Sequence, residues 1–227
     1  MEHRDYRPKR EKTAIDAVIF DYGNVLSVLQ HASDLEGMAA ICAMPVDRFH
    51  QLYWKFRLAY DRGELDGTSY WNSVMREENR MLKTEQIPEL ILVDTESWMH
   101  LNERTIEWAE RLYRAGVHLA LLSNMPPDLA RHMERNCEWT SYFNPRIFSC
   151  DIGVAKPDPA AYKSCLASLK IPAEKILFLD DREENIAAAA KLGIHSLVFD
   201  NVESVSGLVE ERFDLRAQTS VGQSSLE

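Results

Sequence analysis

Apolar residues in this chain gather in short runs that end abruptly at polar ones. Ala17-Val18-Ile19-Phe20 stops at Asp21, Val117 to Leu122 stops at Ser123, and Ile176-Leu177-Phe178-Leu179 stops at Asp180. Runs of this length, rich in Val, Ile, Leu and Phe, predict strands buried on both faces. Arg146-Ile147-Phe148-Ser149 and His195-Ser196-Leu197-Val198-Phe199 are weaker versions of the same pattern. Between the runs, helical spacing covers Asn102 to Ala115, Pro159 to Leu169 and Glu184 to Leu192, with Gly116 and Gly193 as stops for the first and last. Strands alternating with helices predict an α/β fold, a parallel sheet with helices on both faces.

From about Gln30 to Trp98 this rhythm breaks. The segment has no convincing strand, and Leu, Met, Phe, Tyr and Trp recur at helical spacing, so a helical insertion is expected there. Phe49, Leu52, Tyr53, Phe56 and Tyr60 fall at three- and four-residue steps, which reads as a core stripe rather than a ligand box. The turn Asp61-Arg62-Gly63-Glu64 reads as a solvated loop, with contact to a substrate as the alternative. Residues 1–13 and 216–227 are expected to be flexible termini, the latter rich in Ser, Gln and Gly. No internal repeat is evident.

With 227 residues and 45% hydrophobic content, the chain can bury a core of one domain plus an insertion. Its 36 acidic and 26 basic residues give a net charge of −10, which argues against nucleic acid or an anionic membrane surface as the main partner. No apolar stretch is long enough to span a membrane, and the first ten residues have no apolar signal-peptide core, so a cytoplasmic protein is expected. Cys42, Cys137, Cys150 and Cys165 form no Cys-x-x-Cys pair and read as free, mostly buried thiols. The seven histidines form no His-Glu-x-x-His pattern, which leaves zincin chemistry without support.

Ligands of parallel α/β sheets collect at the carboxyl ends of the strands. The polar residues there are Asp21-Tyr22-Gly23-Asn24-Val25, Ser123-Asn124 and Asp180-Asp181, with Lys156 in Gly153-Val154-Ala155-Lys156-Pro157 just ahead of a helix. Carboxylates brought together would repel one another unless a hard cation such as Mg²⁺ turned the repulsion into coordination. A hydroxyl, an amide and an ammonium could then surround a phosphoryl group. Taken singly, each residue also has a structural role open to it: Asp21 and Gly23 in a turn, Ser123-Asn124 or Asp180-Asp181 as helix caps, Lys156 as a solvated lysine.

These motifs, Phe20-Asp21-Tyr22-Gly23-Asn24-Val25-Leu26, Leu122-Ser123-Asn124, Gly153-Val154-Ala155-Lys156-Pro157 and Phe178-Leu179-Asp180-Asp181, occur in an order that resembles the haloacid dehalogenase superfamily over about Ala14 to Val202. The branch that looks most similar contains sugar-phosphate phosphatases and the N-terminal phosphatase domain of soluble epoxide hydrolases. The resemblance implies a discontinuous Rossmann-like core over 14–29 and 99–205 and a helical cap over 30–98. It implies a Mg²⁺-dependent phosphatase acting on a small phosphorylated metabolite, sugar phosphates included. Asp21 would be the nucleophile that forms an aspartyl-phosphate. Asp21, the Gly23 carbonyl and Asp181 would hold Mg²⁺, and Ser123 and Asn124 would bind the phosphoryl oxygens. Lys156 would neutralise charge and orient Asp21. Asp180 would be adjacent support, and Asn185 would hold the metal's waters or Lys156.

One position departs from the commonest pattern. Most phosphatases of the superfamily carry a second Asp two residues after the nucleophile as general acid; here Gly23 stands there, a loss typically worth about 10²–10⁴-fold in rate. Two other readings stay open: a halide-releasing hydrolase using Asp21 without metal, and a non-catalytic protein that binds a phosphorylated ligand. Oligomeric state is not legible.

Overall fold

The structure, a computed structural model, describes residues 11–216. Strands β1 (Thr13–Ile15) and β2 (Ala17–Phe20) are followed by four helices, α1 (Ala32–Ile41), α2 (Val46–Asp61), α3 (Gly67–Arg76) and α4 (Gln86–Ser97). The chain continues through α5 (Glu103–Arg114), β3 (His118–Ser123), α6 (Pro127–Asn136), β4 (Arg146–Phe148), α7 (Ser149–Ile152) and α8 (Pro159–Leu169). It closes with β5 (Ile176–Asp180), α9 (Glu183–Ala190), β6 (His195–Val198), α10 (Val202–Arg212) and β7 (Phe213–Leu215). The termini expected to be flexible lie largely outside the described residues. Within them Thr13 opens β1, which pairs with β7, and Arg216 N donates to Ile15 O, so regular structure reaches further at both ends than expected.

Five strands form an all-parallel sheet in the order β4-β3-β2-β5-β6. The two-residue period of a strand divides its side chains between the two faces. Val18, Phe20, Leu119, Leu121, Leu177 and Leu179 pack into one core, while Ala17, Ile19, Ala120, Leu122, Ile176 and Phe178 pack into the other. Strands buried on both faces need helices on both faces, which is why the apolar runs are continuous rather than alternating. The helix limits follow local chemistry. Asn102 accepts a hydrogen bond from Thr105 N at the start of α5, and Asp158 does the same for Ala160 N ahead of Pro159 in α8. Gly116 and Gly193 take the positive φ that ends a helix.

The four helices between β2 and α5 bury a separate core. Phe49, Leu52, Tyr53 and Tyr60 are buried against Tyr70 and Trp71, as the stripe predicts. A charged group sits inside this core: Arg57 pairs with Asp61 at 2.8 Å and with Asp94 at 3.1 Å, and Tyr53 Oη donates to Asp94 at 2.6 Å. The linkers that enter and leave the helical unit run side by side, with Val28 N donating to His100 O and Asn102 N to Leu26 O.

The helical unit is seated on the sheet unit at specific points. Tyr60 Oη donates to Asp128 Oδ2 of α6 at 2.6 Å, and Ser149 Oγ donates to the Asp61 carbonyl. Gly63 has φ +69°, and a Cβ on it would lie 2.7 Å from the Cys150 carbonyl oxygen. The Asp61-to-Glu64 turn is therefore pressed against α7 and is not the free solvated loop expected from its composition. Among the described residues no helix is long and apolar enough to cross a membrane. All four cysteines are free; Cys42 and Cys165 are buried and the other two half-buried.

Candidate active site

Because the sheet is parallel, β2, β3 and β5 deliver Asp21, Ser123 and Asp180 to the same edge, next to the point where strand order reverses. Lys156 reaches in from the loop before α8. Its ammonium lies 2.8 Å from Asp21 Oδ1 and 2.6 Å from Asp180 Oδ2, with all three groups buried. The lysine main chain is held by Asn124, whose Nδ2 donates to Lys156 O and whose Oδ1 accepts from Lys156 N, both at 2.8 Å. Asp180 is held in turn: Asn185 Nδ2 donates to its Oδ1 at 2.8 Å and its Oδ2 at 3.0 Å, and Arg182 N donates to Oδ1 at 2.9 Å. Tyr22 N donates to Asp21 Oδ1 at 2.7 Å.

Asp181 completes the group. Its Oδ2 accepts from Asn24 Nδ2 at 3.0 Å, and carboxylate oxygens of Asp21, Asp180 and Asp181 lie within 4.8 Å of one another. Asn24 takes a φ of +56°, a left-handed turn conformation that Asn tolerates better than most residues. Burial pushes the Asp21 carboxyl up to about 7, against the opposing pull of Lys156 and with a further push from Asp180. Burial also raises Asp181, which the Asn24 hydrogen bond counteracts. Burial works to lower the Lys156 ammonium, but Asp21 and Asp180 together outweigh it and raise it, which keeps it charged. With every acid ionised, three carboxylates face one ammonium, a local excess of two negative charges.

A divalent cation matches that excess, and the free donor atoms fit one. Among the described residues Asp21 Oδ2, Asp181 Oδ1 and the Gly23 carbonyl carry no hydrogen bond, and Asn185 Oδ1 is buried without a partner. Oxygen donors of this kind suit Mg²⁺, which keeps several of its waters. The site floors a cavity of about 620 Å³ lined by Asp21, Gly23, Ser123, Lys156 and Asp181 below and by residues of α2 above. Ser123 Oγ makes no hydrogen bond among the described residues, and Ser123 lines the cavity together with Lys156.

The structure thus brings together all eight residues singled out from the sequence. Asn124, expected to donate its amide to a phosphoryl group, spends one N–H on the Lys156 carbonyl and so also positions the lysine; its second N–H has no partner among the described residues. Asn185 was expected to hold metal waters or Lys156; its NH₂ holds Asp180, the partner of Lys156, and its Oδ1 has no partner among the described residues. The capping roles also open to these residues do not apply: α6 starts after Pro126 and α9 after Arg182, both without a side-chain cap. In the helical insertion, Trp54 and Arg62 line the cavity, Tyr60 and Trp71 are buried in the helical core, and Arg76 is not among the lining residues. Asn24 was missed; its signal was an Asn in the turn after a strand-end Asp.

A family described as haloacid dehalogenase-like hydrolase matches residues 15–193. Bifunctional epoxide hydrolase 2 of Sus scrofa is 26% identical over 208 residues, which cover 82% of this chain and 36% of that protein. A phosphorylated carbohydrates phosphatase of Thermotoga maritima is 27% identical over 110 residues, 48% of this chain and 47% of that one. The chain thus spans about a third to a half of the length of these relatives. In three dimensions it is similar to a haloacid dehalogenase family enzyme, bt-2542 of Bacteroides thetaiotaomicron, solved in complex with magnesium and inorganic phosphate. That match has a TM-score of 0.67 at 20% identity and covers 85% of this chain and 99% of the other.

Two outcomes are expected from this geometry. Lys156→Met, which leaves Asp180 buried and unpaired, should cost about 3–5 kcal/mol in a urea titration, and adding Asp180→Asn should recover most of it; a cost below about 1 kcal/mol would show that the pair is not a structural strut. Since Asp21 keeps its proton up to about pH 7, a cation must displace that proton below this pH. Apparent Mg²⁺ affinity measured by calorimetry should therefore fall about tenfold per pH unit below 7 and level off above it; a flat profile would mean that Asp21 is not a ligand.

Proposed function

The chain belongs to the haloacid dehalogenase-like hydrolase family, and from that premise we propose that it is a Mg²⁺-dependent phosphatase of a small phosphorylated metabolite. The observation that carries the proposal is the Lys156 ammonium set between Asp21 and Asp180 at the floor of a cavity. Asp21 is the nucleophile. Lys156 orients the Asp21 carboxylate, one oxygen of which attacks phosphorus, and the resulting aspartyl-phosphate is hydrolysed by water. Ser123 Oγ and the Lys156 ammonium bind the phosphoryl oxygens and stabilise the charge that builds on them. Asp21, Asp181 and the Gly23 carbonyl would hold Mg²⁺, which supplies charge neutralisation for the dianion.

A halide-releasing hydrolase is the second reading, because a nucleophilic Asp at this strand end serves that chemistry as well. The two extra carboxylates weigh against it: without a cation, Asp180 and Asp181 beside Asp21 leave net repulsion in a buried site. Phosphate release dependent on Mg²⁺ and abolished by EDTA separates the two.

Asp21→Asn, nearly isosteric, is expected to retain the fold and lose turnover of p-nitrophenyl phosphate; full activity in the variant would end the nucleophile assignment. Gly23 can also be tested by gain. A Cβ there meets nothing closer than Trp98 Cζ3 at 3.7 Å, so Gly23→Asp has room to restore a general acid. It should speed hydrolysis of alkyl phosphates, whose leaving group needs a proton, by about 10²-fold. An unchanged rate would show that proton donation at this position does not limit the reaction.

A further inference from the structure

We infer, resting on the phosphatase reading, that the substrates are phosphate monoesters of aromatic alcohols, with a phenol-type oxygen as leaving group, rather than sugar or other alkyl phosphates. Two independent features of the cavity lead there.

The first is its roof. Leu29 on the outgoing linker and Trp54 and Leu58 on α2 are 59%, 45% and 48% exposed, yet all three line the cavity above Asp21. Large apolar side chains left open inside one concave site call for an apolar partner. Trp98 completes the wall. Both indole N–H groups are already used, Trp54 Nε1 on His50 Nε2 and Trp98 Nε1 on Tyr53 Oη, each at 3.0 Å. The indoles therefore present only ring surface to a ligand. The polar groups overhead are committed as well, since Arg57 is bonded to Asp61 and to Asp94. A sugar ring needs an array of free donors and acceptors for its hydroxyls, and this roof does not supply one. On the roof Arg62 is the exception, with only a 3.7 Å contact to Glu64, leaving it able to meet a polar substituent on a ring; at the rim Arg182 and Glu184 pair with each other and Asp158 caps α8.

The second feature is at the floor. Gly23 offers no proton to the departing oxygen. Asp21 attacks phosphorus, the bond from phosphorus to the ester oxygen breaks, and its electron pair leaves with that oxygen. A phenol-type oxygen, with a conjugate-acid pKa near ~10, can leave as the anion and take its proton from water afterwards. An alkoxide is a far stronger base and needs the missing acid. Water then attacks the phosphorus of the aspartyl-phosphate, releasing inorganic phosphate and restoring the Asp21 carboxylate. An aromatic roof and a floor without an acid select the same ester.

The test compares phosphate release from naphthyl phosphate, naphthylmethyl phosphate, glycerol phosphate and glucose phosphate with Mg²⁺, in wild type and Trp54→Ala. Naphthylmethyl phosphate keeps the aromatic body but has an alkyl leaving oxygen. The kcat/KM for naphthyl phosphate should exceed that for naphthylmethyl phosphate by about 10²-fold. The ratio of naphthyl over glycerol phosphate should fall at least about tenfold in Trp54→Ala, a readout insensitive to how much variant is folded. Equal rates for the two naphthyl esters, a preference for glycerol or glucose phosphate, or an unchanged ratio in Trp54→Ala would each overturn the inference and leave the phosphatase reading standing. No release from any ester would remove both.

Discussion

The Lys156 ammonium, buried between Asp21 and Asp180, is the contact on which the rest of the site depends. A buried cation between two carboxylates is tolerated only where the remaining polar atoms are also satisfied. Each neighbouring residue meets part of that demand: Asn124 clamps the lysine main chain, Asn185 and the Arg182 amide hold Asp180, and the Tyr22 amide holds Asp21. The outcome is an Asp21 carboxylate with one oxygen fixed and one free, beside an Asp181 that is half committed. This one arrangement stiffens the ends of β2 and β5 and shapes the chemistry.

Much of the sheet was legible because buried parallel strands write themselves as unbroken apolar runs, and the residue that ends each run is the one the site uses. Asp21, Ser123 and Asp180 follow from that rule alone. Lys156 does not: a lysine in a loop carries no signal of burial, and only the company of the other motifs marked it. The parts that the pattern leaves open share a cause. Asn124 and Asn185 are amides, able to face a ligand or a neighbour equally well, and which partner they meet is set by loops whose paths periodicity does not describe. The strand pair of β1 and β7 joins opposite ends of the chain through three residues each, too short to leave a pattern.

The helical unit shows the same boundary. The stripe of Phe49, Leu52, Tyr53 and Tyr60 announced a core, and it is one. Which aromatic residues face the cavity could not be read from spacing, because Trp54 and Trp71 look alike in sequence and part ways only in packing: Trp71 is fully buried, while Trp54 lines the cavity that Asp21 floors. Arg57, in the same helix, is buried with Asp61 and Asp94, so the charge next to the cavity is spent on holding the helices together rather than on a ligand. On the proposed reading, selectivity then falls largely to the apolar roof and Arg62, and proton transfer at the floor is left without a side chain at Gly23.

The central claim is that Asp21 carries the phosphoryl group during turnover. It is tested most directly by quenching the wild-type protein in acid during hydrolysis of an aryl phosphate with Mg²⁺ and determining the mass of the peptide that contains Asp21. The expected result is that this peptide gains one phosphoryl group, located on Asp21, and that the gain disappears with EDTA. Phosphate released while Asp21 stays unmodified under every quench, or a phosphoryl group on another residue, would contradict it.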